Sequence, residues 1–234
     1  MSRQAVVLAG GLALRMRPHT LHTPKVLLDV AGRPFVDWLL ERLAACGTTE
    51  VVLCVGHLGA RVREHVGGGA QAGLRVIVSD EGEEPRGTLG ALRLALPHLA
   101  PEFLVTYGDS YLPFDYASPL DALSRHDDCD GVMSVFANAH RWDASNVLTD
   151  GEWVRAYEKG TTDPAFDHID YGALALRRAV VARLPEGHRG GLDVLQRELA
   201  STRRLRAVVA RERFFEIGSP AGLSSLAHHL EGRT

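Results

Sequence analysis

Three observations predict an α/β fold whose mixed, mainly parallel sheet carries helices on both faces. Short apolar runs alternate with segments of helical period through the first half of the chain, and such alternation calls for parallel pairing and a covered sheet. The first apolar run opens into a Gly-Gly loop and a later one into Gly108-Asp109, and open α/β sheets bind ligands beyond the carboxyl ends of their strands. The chain has 234 residues, 45% hydrophobic and 24% charged, a composition that excludes disorder. That length is expected to form a single domain over residues 1–234.

Residues 4–9 read as a buried strand. Residues 35–45 read as a helix with Phe35, Leu39, Leu40 and Leu43 on one face and Gly47 just past its end. Residues 51–55 form a strand in which Cys54 fills a small apolar position. A short helix over 58–66 and a strand over 75–78 follow. Residues 89–96 read as a helix with Thr88 as N-cap and Pro97 behind it. Residues 103–107 form the next strand. The second half is less regular, with strands over 131–136, 154–158, 173–176 and 205–210 and helices over 179–184, 193–200 and 220–230. The loops after Ala9 and Tyr107 are expected to face one crevice. His228 and His229 on the last helix are expected at the surface.

Charge and patterning exclude several classes. With 26 Lys+Arg against 29 Asp+Glu the net charge is −3, the wrong sign for a general nucleic-acid binder. No run approaches the ~18 apolar residues of a membrane helix, and five apolar residues before two glycines are too few for a signal-peptide core. Cys46, Cys54 and Cys129 lack metal-type spacing and read as reduced cytosolic thiols. A cytoplasmic location is therefore expected. The sequence also lacks H-E-x-x-H and G-x-S-x-G.

The most informative stretch runs Leu8-Ala9-Gly10-Gly11-Leu12-Ala13-Leu14-Arg15 and continues through Pro18 and Thr20 to Thr23-Pro24-Lys25. Glycines let a backbone approach a ligand closely and turn amides toward phosphate oxygens. Arg15 and Lys25 supply the charge that neutralises a polyphosphate, one as a fork and one as a point charge. The spacing is neither a P-loop nor G-x-G-x-x-G. Asp109, a carboxylate at the end of a buried strand, suits a hard cation bound by oxygen. Gly87, Thr88 and Gly90 lie at a helix start, where free amides favour an acceptor-rich partner.

Residues 8–25 resemble the signature of the sugar-1-phosphate nucleotidyltransferases, L-A-G-G-x-G-T-R-x-x-P-x-T-x-x-x-P-K. Ala13 stands where that family has glycine, and Leu14 where it has Thr or Ser. Further motifs follow in the family's order. Glu84 through Leu92 resembles E-x-P-x-G-T-A-G-A-L, Tyr107-Gly108-Asp109 the strand-end G-D, and Phe214 through Leu223 the F-x-D-I-G-T-P-E-D-L segment. The resemblance implies a Rossmann-like fold of the GT-A type and nucleotide contacts by Leu8, Ala9, Gly10, Gly11, Arg15, Gly87, Thr88 and Gly90. It implies Mg²⁺ held by Asp109 and Glu216, the latter one methylene longer than the family's aspartate. Glu158-Lys159 resembles the pair that holds the sugar and its phosphate, and Asp170-Tyr171-Gly172 falls where the family has N-x-G, so Asp170 and Gly172 would line the sugar pocket. Trp142 is a candidate for stacking on a ring. Homodimers are common among such enzymes.

The reaction implied joins an NTP to a sugar 1-phosphate, giving an NDP-sugar and pyrophosphate, with Arg15, Lys25 and Asp109 as the catalytic groups. GTP and a heptose or mannose 1-phosphate are favoured, since the segment from Ala31 to Phe35 looks closest to the heptose-type guanylyl enzymes. Uridylyl or other nucleotidyl transfer, a phosphocholine-like acceptor and a non-catalytic nucleotide-sugar sensor remain as alternatives.

Overall fold

The computed structural model describes every residue except 1, 2, 68, 69, 139, 142, 233 and 234. The chain divides into two units: Met1–Pro85, Thr106–Leu112 and Phe214–Thr234 form the first, and Arg86–Val105 with Pro113–Arg213 form the second. The fold is mixed α/β throughout, and among the described residues no helix is long and apolar enough to cross a membrane.

In the first unit the strand Gln4–Leu8 pairs in parallel with Glu50–Val55, which pairs in parallel with Leu74–Asp80. The first two of these strands are rich in valine and nearly all buried, because a strand covered on both faces needs an apolar residue at every position rather than every second one. Cys54 is buried here as read, and burial, followed by the charge of Glu81, pushes its thiol up to about 12. The helix Phe35–Ala45 has the predicted bounds and buries the predicted Phe35, Leu39, Leu40 and Leu43. The last helix, Pro220–Glu231, begins with the Ser219 hydroxyl accepting from the Gly222 amide at 3.1 Å, with proline at the first helical position.

In the second unit the strand Gly131–Ala137 lies between Leu205–Ala210, parallel to it, and His168–Arg177, antiparallel to it. A hairpin of Val147–Asp150 and Trp153–Tyr157 adds further strands, and the helix Leu192–Ser201 packs on Trp153–Tyr157. The register between Gly131–Ala137 and His168–Arg177 slips. Asp170 faces Val135 and Leu174 faces Met133, so Tyr171, Gly172 and Ala173 bulge out opposite Ser134. The buried Ser134 hydroxyl replaces the lost ladder, donating to the Ala173 carbonyl at 2.7 Å and accepting from the Ala173 amide at 3.1 Å. Gly172 takes a left-handed φ of 95° in the bulge, a conformation open to glycine. This strand begins five residues before the predicted 173–176, because the bulge interrupts the alternation by which a strand is recognised.

Two readings are corrected. The helix expected over 89–96 is Gly87–Leu94 with Arg86 at its N-cap, so Thr88 lies in its first turn. The Thr88 hydroxyl instead accepts from the Leu192 amide at 2.7 Å, capping the start of a different helix. His229 is not a plain surface residue. It stacks on Phe215 with ring centroids 4.4 Å apart and meets Tyr111 edge-on at 6.2 Å.

Ser134→Ala should therefore lower stability by about 1–3 kcal/mol, the scale for leaving buried backbone groups without a partner. Urea unfolding measures this, and an unchanged midpoint would show that the bulge does not lean on the hydroxyl.

Candidate active site

The strand-end loops of the first unit are brought together by backbone before any side chain is considered. The Gly108 amide donates to the Leu8 carbonyl at 2.9 Å, and a Cβ on Gly108 would lie 2.8 Å from that of Ala9. The loops after Ala9 and Tyr107 are thus side by side, as the sequence predicts. The first loop turns at Ala13, which is left-handed with φ 47° and ψ 42°, into a 3-10 turn over Leu14–Met16 that carries Arg15. A second 3-10 turn, Lys25–Leu27, begins behind Pro24.

The side chains then converge from four segments. Lys25 Nζ donates to Asp109 Oδ2 at 2.6 Å, and the Ser110 hydroxyl donates to Asp109 Oδ1 at 3.2 Å. Ser110 faces Glu216 across a two-residue antiparallel pairing, and the Ile217 amide donates to the Asp109 carbonyl at 2.9 Å. Two residues beyond Glu216, a Cβ built on Gly218 would lie 3.4 Å from Lys25 Nζ and 3.6 Å from Arg15 Nη2. The structure therefore brings Arg15, Lys25, Asp109 and the strand carrying Glu216 together.

One acidic residue was missed by sequence reasoning. The Glu81 carboxylate lies over the loop glycines: its Oε1 is 2.6 Å from a Cβ built on Gly10 and 2.9 Å from one built on Gly56. A side chain at either position would require the Glu81 carboxylate to move. A Cβ on Gly11 would meet nothing. The signal was available, since Glu81 follows the strand Leu74–Asp80 as Asp109 follows its own strand.

The second unit holds the other predicted residues in two places. Gly87, Thr88 and Gly90 pack against the segment 188–190. The Leu89 amide donates to the Gly190 carbonyl and the Gly190 amide to the Arg86 carbonyl, both at 2.9 Å. Gly87, at φ 75°, would drive a Cβ to 2.4 Å from the Gly190 oxygen, so this glycine is required by packing whatever else it touches.

Asp170 and Gly172 sit at the start of the bulge. Asp170 Oδ1 accepts from the Gly172 amide at 3.0 Å and Oδ2 from Gln196 Nε2 at 2.8 Å, while its own amide donates to Asn146 Oδ1. Burial pushes the Asp170 carboxyl up, against the hydrogen bonds of Gly172, Gln196 and Tyr157 and the charge of Lys159, which pull it down. Glu158 and Lys159 follow the strand Trp153–Tyr157, both exposed. Lys159 Nζ is 3.9 Å from Asp193 Oδ1 and its side chain is 57% exposed, so it is free to turn toward another anion at little cost. Trp142 lies outside the described residues.

Comparison with known proteins agrees with this geometry. The model of the MobA-like NTP transferase domain matches residues 5–213. The chain is 35% identical to N-acetylmuramate α-1-phosphate uridylyltransferase of Neisseria meningitidis serogroup B, over 61% of this chain and 59% of that protein. It is 34% identical to mannose-1-phosphate guanylyltransferase of Mycobacterium tuberculosis, over 78% of this chain and 51% of that protein. The chain thus spans between about half and three-fifths of these relatives' lengths. In fold it is similar to the crystal structure of HddC from Yersinia pseudotuberculosis, with a TM-score of 0.79 and 24% identity over 97% of this chain and 99% of that one. With the motifs in order, the cations and carboxylate gathered at the predicted loops and a family model covering most of its length, the chain belongs to the MobA-like NTP transferase domains, within the sugar-1-phosphate nucleotidyltransferase family.

Proposed function

We propose that this protein is a Mg²⁺-dependent enzyme that transfers a nucleotidyl group from an NTP to a sugar 1-phosphate and releases pyrophosphate. The observation that carries the reading is the convergence of Arg15 and Lys25 beside Gly218, with Lys25 bonded to Asp109. Two cations beside a glycine loop at strand ends support a polyphosphate site.

A phosphate monoester is already an anionic nucleophile, so attack on the α-phosphorus needs no general base. The barrier is repulsion and alignment, and the protein acts by positioning and neutralisation. Arg15 binds the triphosphate and the charge that develops on the departing pyrophosphate. Lys25 bridges toward the attacking phosphate. Asp109 and Glu216 would hold Mg²⁺. Their carboxylates are hard oxygen donors on neighbouring segments, and among the described residues no group of three or more His, Cys, Asp or Glu is gathered. That set fits a cation that takes its remaining oxygens from phosphate and water, and when bound it supplies further neutralisation of the phosphates. Lys159 and Glu158 are assigned to the sugar phosphate and sugar on the family resemblance. A single catalytic domain, a cytoplasmic location and a homodimer belong to the same proposal.

GTP is the proposed donor. A carboxylate over Gly10 matches guanine, whose N1–H and N2–H₂ are adjacent donors for a bidentate, charge-assisted pair. Uracil offers one N–H between two carbonyl oxygens, which a carboxylate repels. The relatives' names include uridylyl, guanylyl and thymidylyl donors, and the Glu81 position supports the guanylyl reading. Mannose or heptose 1-phosphate is the proposed acceptor. The sensor alternative loses its main support, because Ala13 adopts the left-handed turn that a glycine would.

The direct test is pyrophosphate release with Mg²⁺, four NTPs being crossed with mannose, heptose, glucose and N-acetylated sugar 1-phosphates. Silence across the panel would sink the reading. Arg15→Ala should cost roughly 10²–10³ in kcat, the scale for one transition-state donor, and near-normal turnover would remove Arg15 from the mechanism. Glu81→Gln should lower the kcat/KM ratio of GTP over UTP by roughly 10–100-fold, the scale of a charged hydrogen bond. An unchanged ratio would take Glu81 out of base selection.

A further inference from the structure

Thr20 lies between Arg15 and Lys25, flanked by exposed Pro18, His19, Leu21 and His22, yet it is only 4% exposed. Its hydroxyl donates to the Ala13 carbonyl at 2.9 Å, and the Met16 amide donates to the same oxygen at 3.0 Å. Two donors on one carbonyl fix the plane of the Ala13–Leu14 peptide. In a trans peptide the C=O and N–H point in opposite directions. A carbonyl drawn toward buried Thr20 therefore sends the Leu14 N–H to the other side.

This arrangement requires Ala13 to be left-handed, at φ 47° and ψ 42°, a conformation that disfavours any residue with a Cβ. The residues that follow form a right-handed 3-10 turn over Leu14–Met16. A left-handed residue followed by right-handed ones turns successive amides toward one concave side, which attracts anions. The first amides of a helical turn also have no acceptor within it. Leu14 brings no hydroxyl, and its side chain is 56% exposed. At this position the backbone is the donor, and its aim depends on the Ala13 carbonyl.

We propose that Thr20 is a positioning residue for the nucleoside triphosphate: its hydroxyl holds Ala13 in the left-handed turn and so aims the Leu14 and Arg15 amides at phosphate oxygens. The proposal rests on the nucleotidyl-transfer reading above. Thr20 touches no substrate itself. It replaces, through the backbone, the conformational ease that a glycine at 13 would give.

The test measures GTP and UTP affinity in the presence of Mg²⁺ by calorimetry, steady-state constants for both substrates, and Tm. Thr20→Val keeps the shape and removes the donor. It should weaken triphosphate binding and raise the KM for NTP by about tenfold, the scale of one lost hydrogen bond, and leave the KM for sugar phosphate unchanged. Thr20→Ser should restore NTP affinity to near the wild-type value. Adding Ala13→Gly to Thr20→Val should recover part of the loss, because glycine holds the turn without help. Thr20→Ala is the second variant if Thr20→Val does not fold. A lower Tm with unchanged NTP affinity would overturn the proposal, as would a Ser variant no better than the Val one. A wild-type protein that binds triphosphate but transfers nothing overturns the nucleotidyl-transfer reading alone, and one that binds no triphosphate overturns both.

Discussion

The strand-end loops of the first unit depend on one ion pair. Lys25 Nζ and Asp109 Oδ2 are 2.6 Å apart, with 15% and 35% of their side chains exposed, and they come from positions 84 residues apart. Lys25 is largely shielded from water, and removing Asp109 would leave its charge without that compensation. The rest follows from where the pair sits. Asp109 fixes the strand end to which Ile217 bonds, which places Glu216 beside Ser110. Gly218 then lies against Lys25 and Arg15. Two like charges can share that corner because one is neutralised by Asp109.

Much of this was legible in the sequence, and the reasons differ by element. The helix Phe35–Ala45 and the strand Leu205–Ala210 have their predicted bounds, since a clean period or a continuous apolar run leaves one solution. The Arg15, Lys25 and Asp109 grouping was legible because strand ends of an α/β sheet gather at one edge. What failed was a misleading local signal in one case and dependence on a neighbour distant in sequence in the others. The helix Ala117–Ser124 was hidden because Ser118-Pro119 in its first turn reads locally as a turn. Thr88 is placed like an N-cap, but nothing in the sequence shows that residues 188–192 come back to take its hydroxyl. Glu81 carried a strand-end signal, but its meaning comes from Gly10 and Gly56 in the loops after two other strands.

Asp170 shows how a departure from the family pattern can be absorbed. Where the family has asparagine, this chain has an acid that accepts but cannot donate. The carbonyl side of either residue serves the bulge equally well, since Oδ1 takes the Gly172 amide. The difference falls on the second atom, and there Gln196, 1% exposed, supplies the missing donor from the helix Leu192–Ser201. The amide has in effect moved from the strand to the helix, and the carboxylate lies between Gly172, Gln196 and the charge of Lys159. Burial pushes its pKa up while each of these pulls it down, so the acid's charge is supported by groups that a neutral asparagine would not need. Lys159 is the most exposed member of that set, with 57% of its side chain in solvent. Any turn of Lys159 toward another anion would remove part of what holds the Asp170 charge, and the carboxylate would then gain more from a new donor. A hydroxyl beside the bulge would be such a donor, so an anion that drew Lys159 away and a hydroxyl that bonded Asp170 would reinforce each other through this one acid.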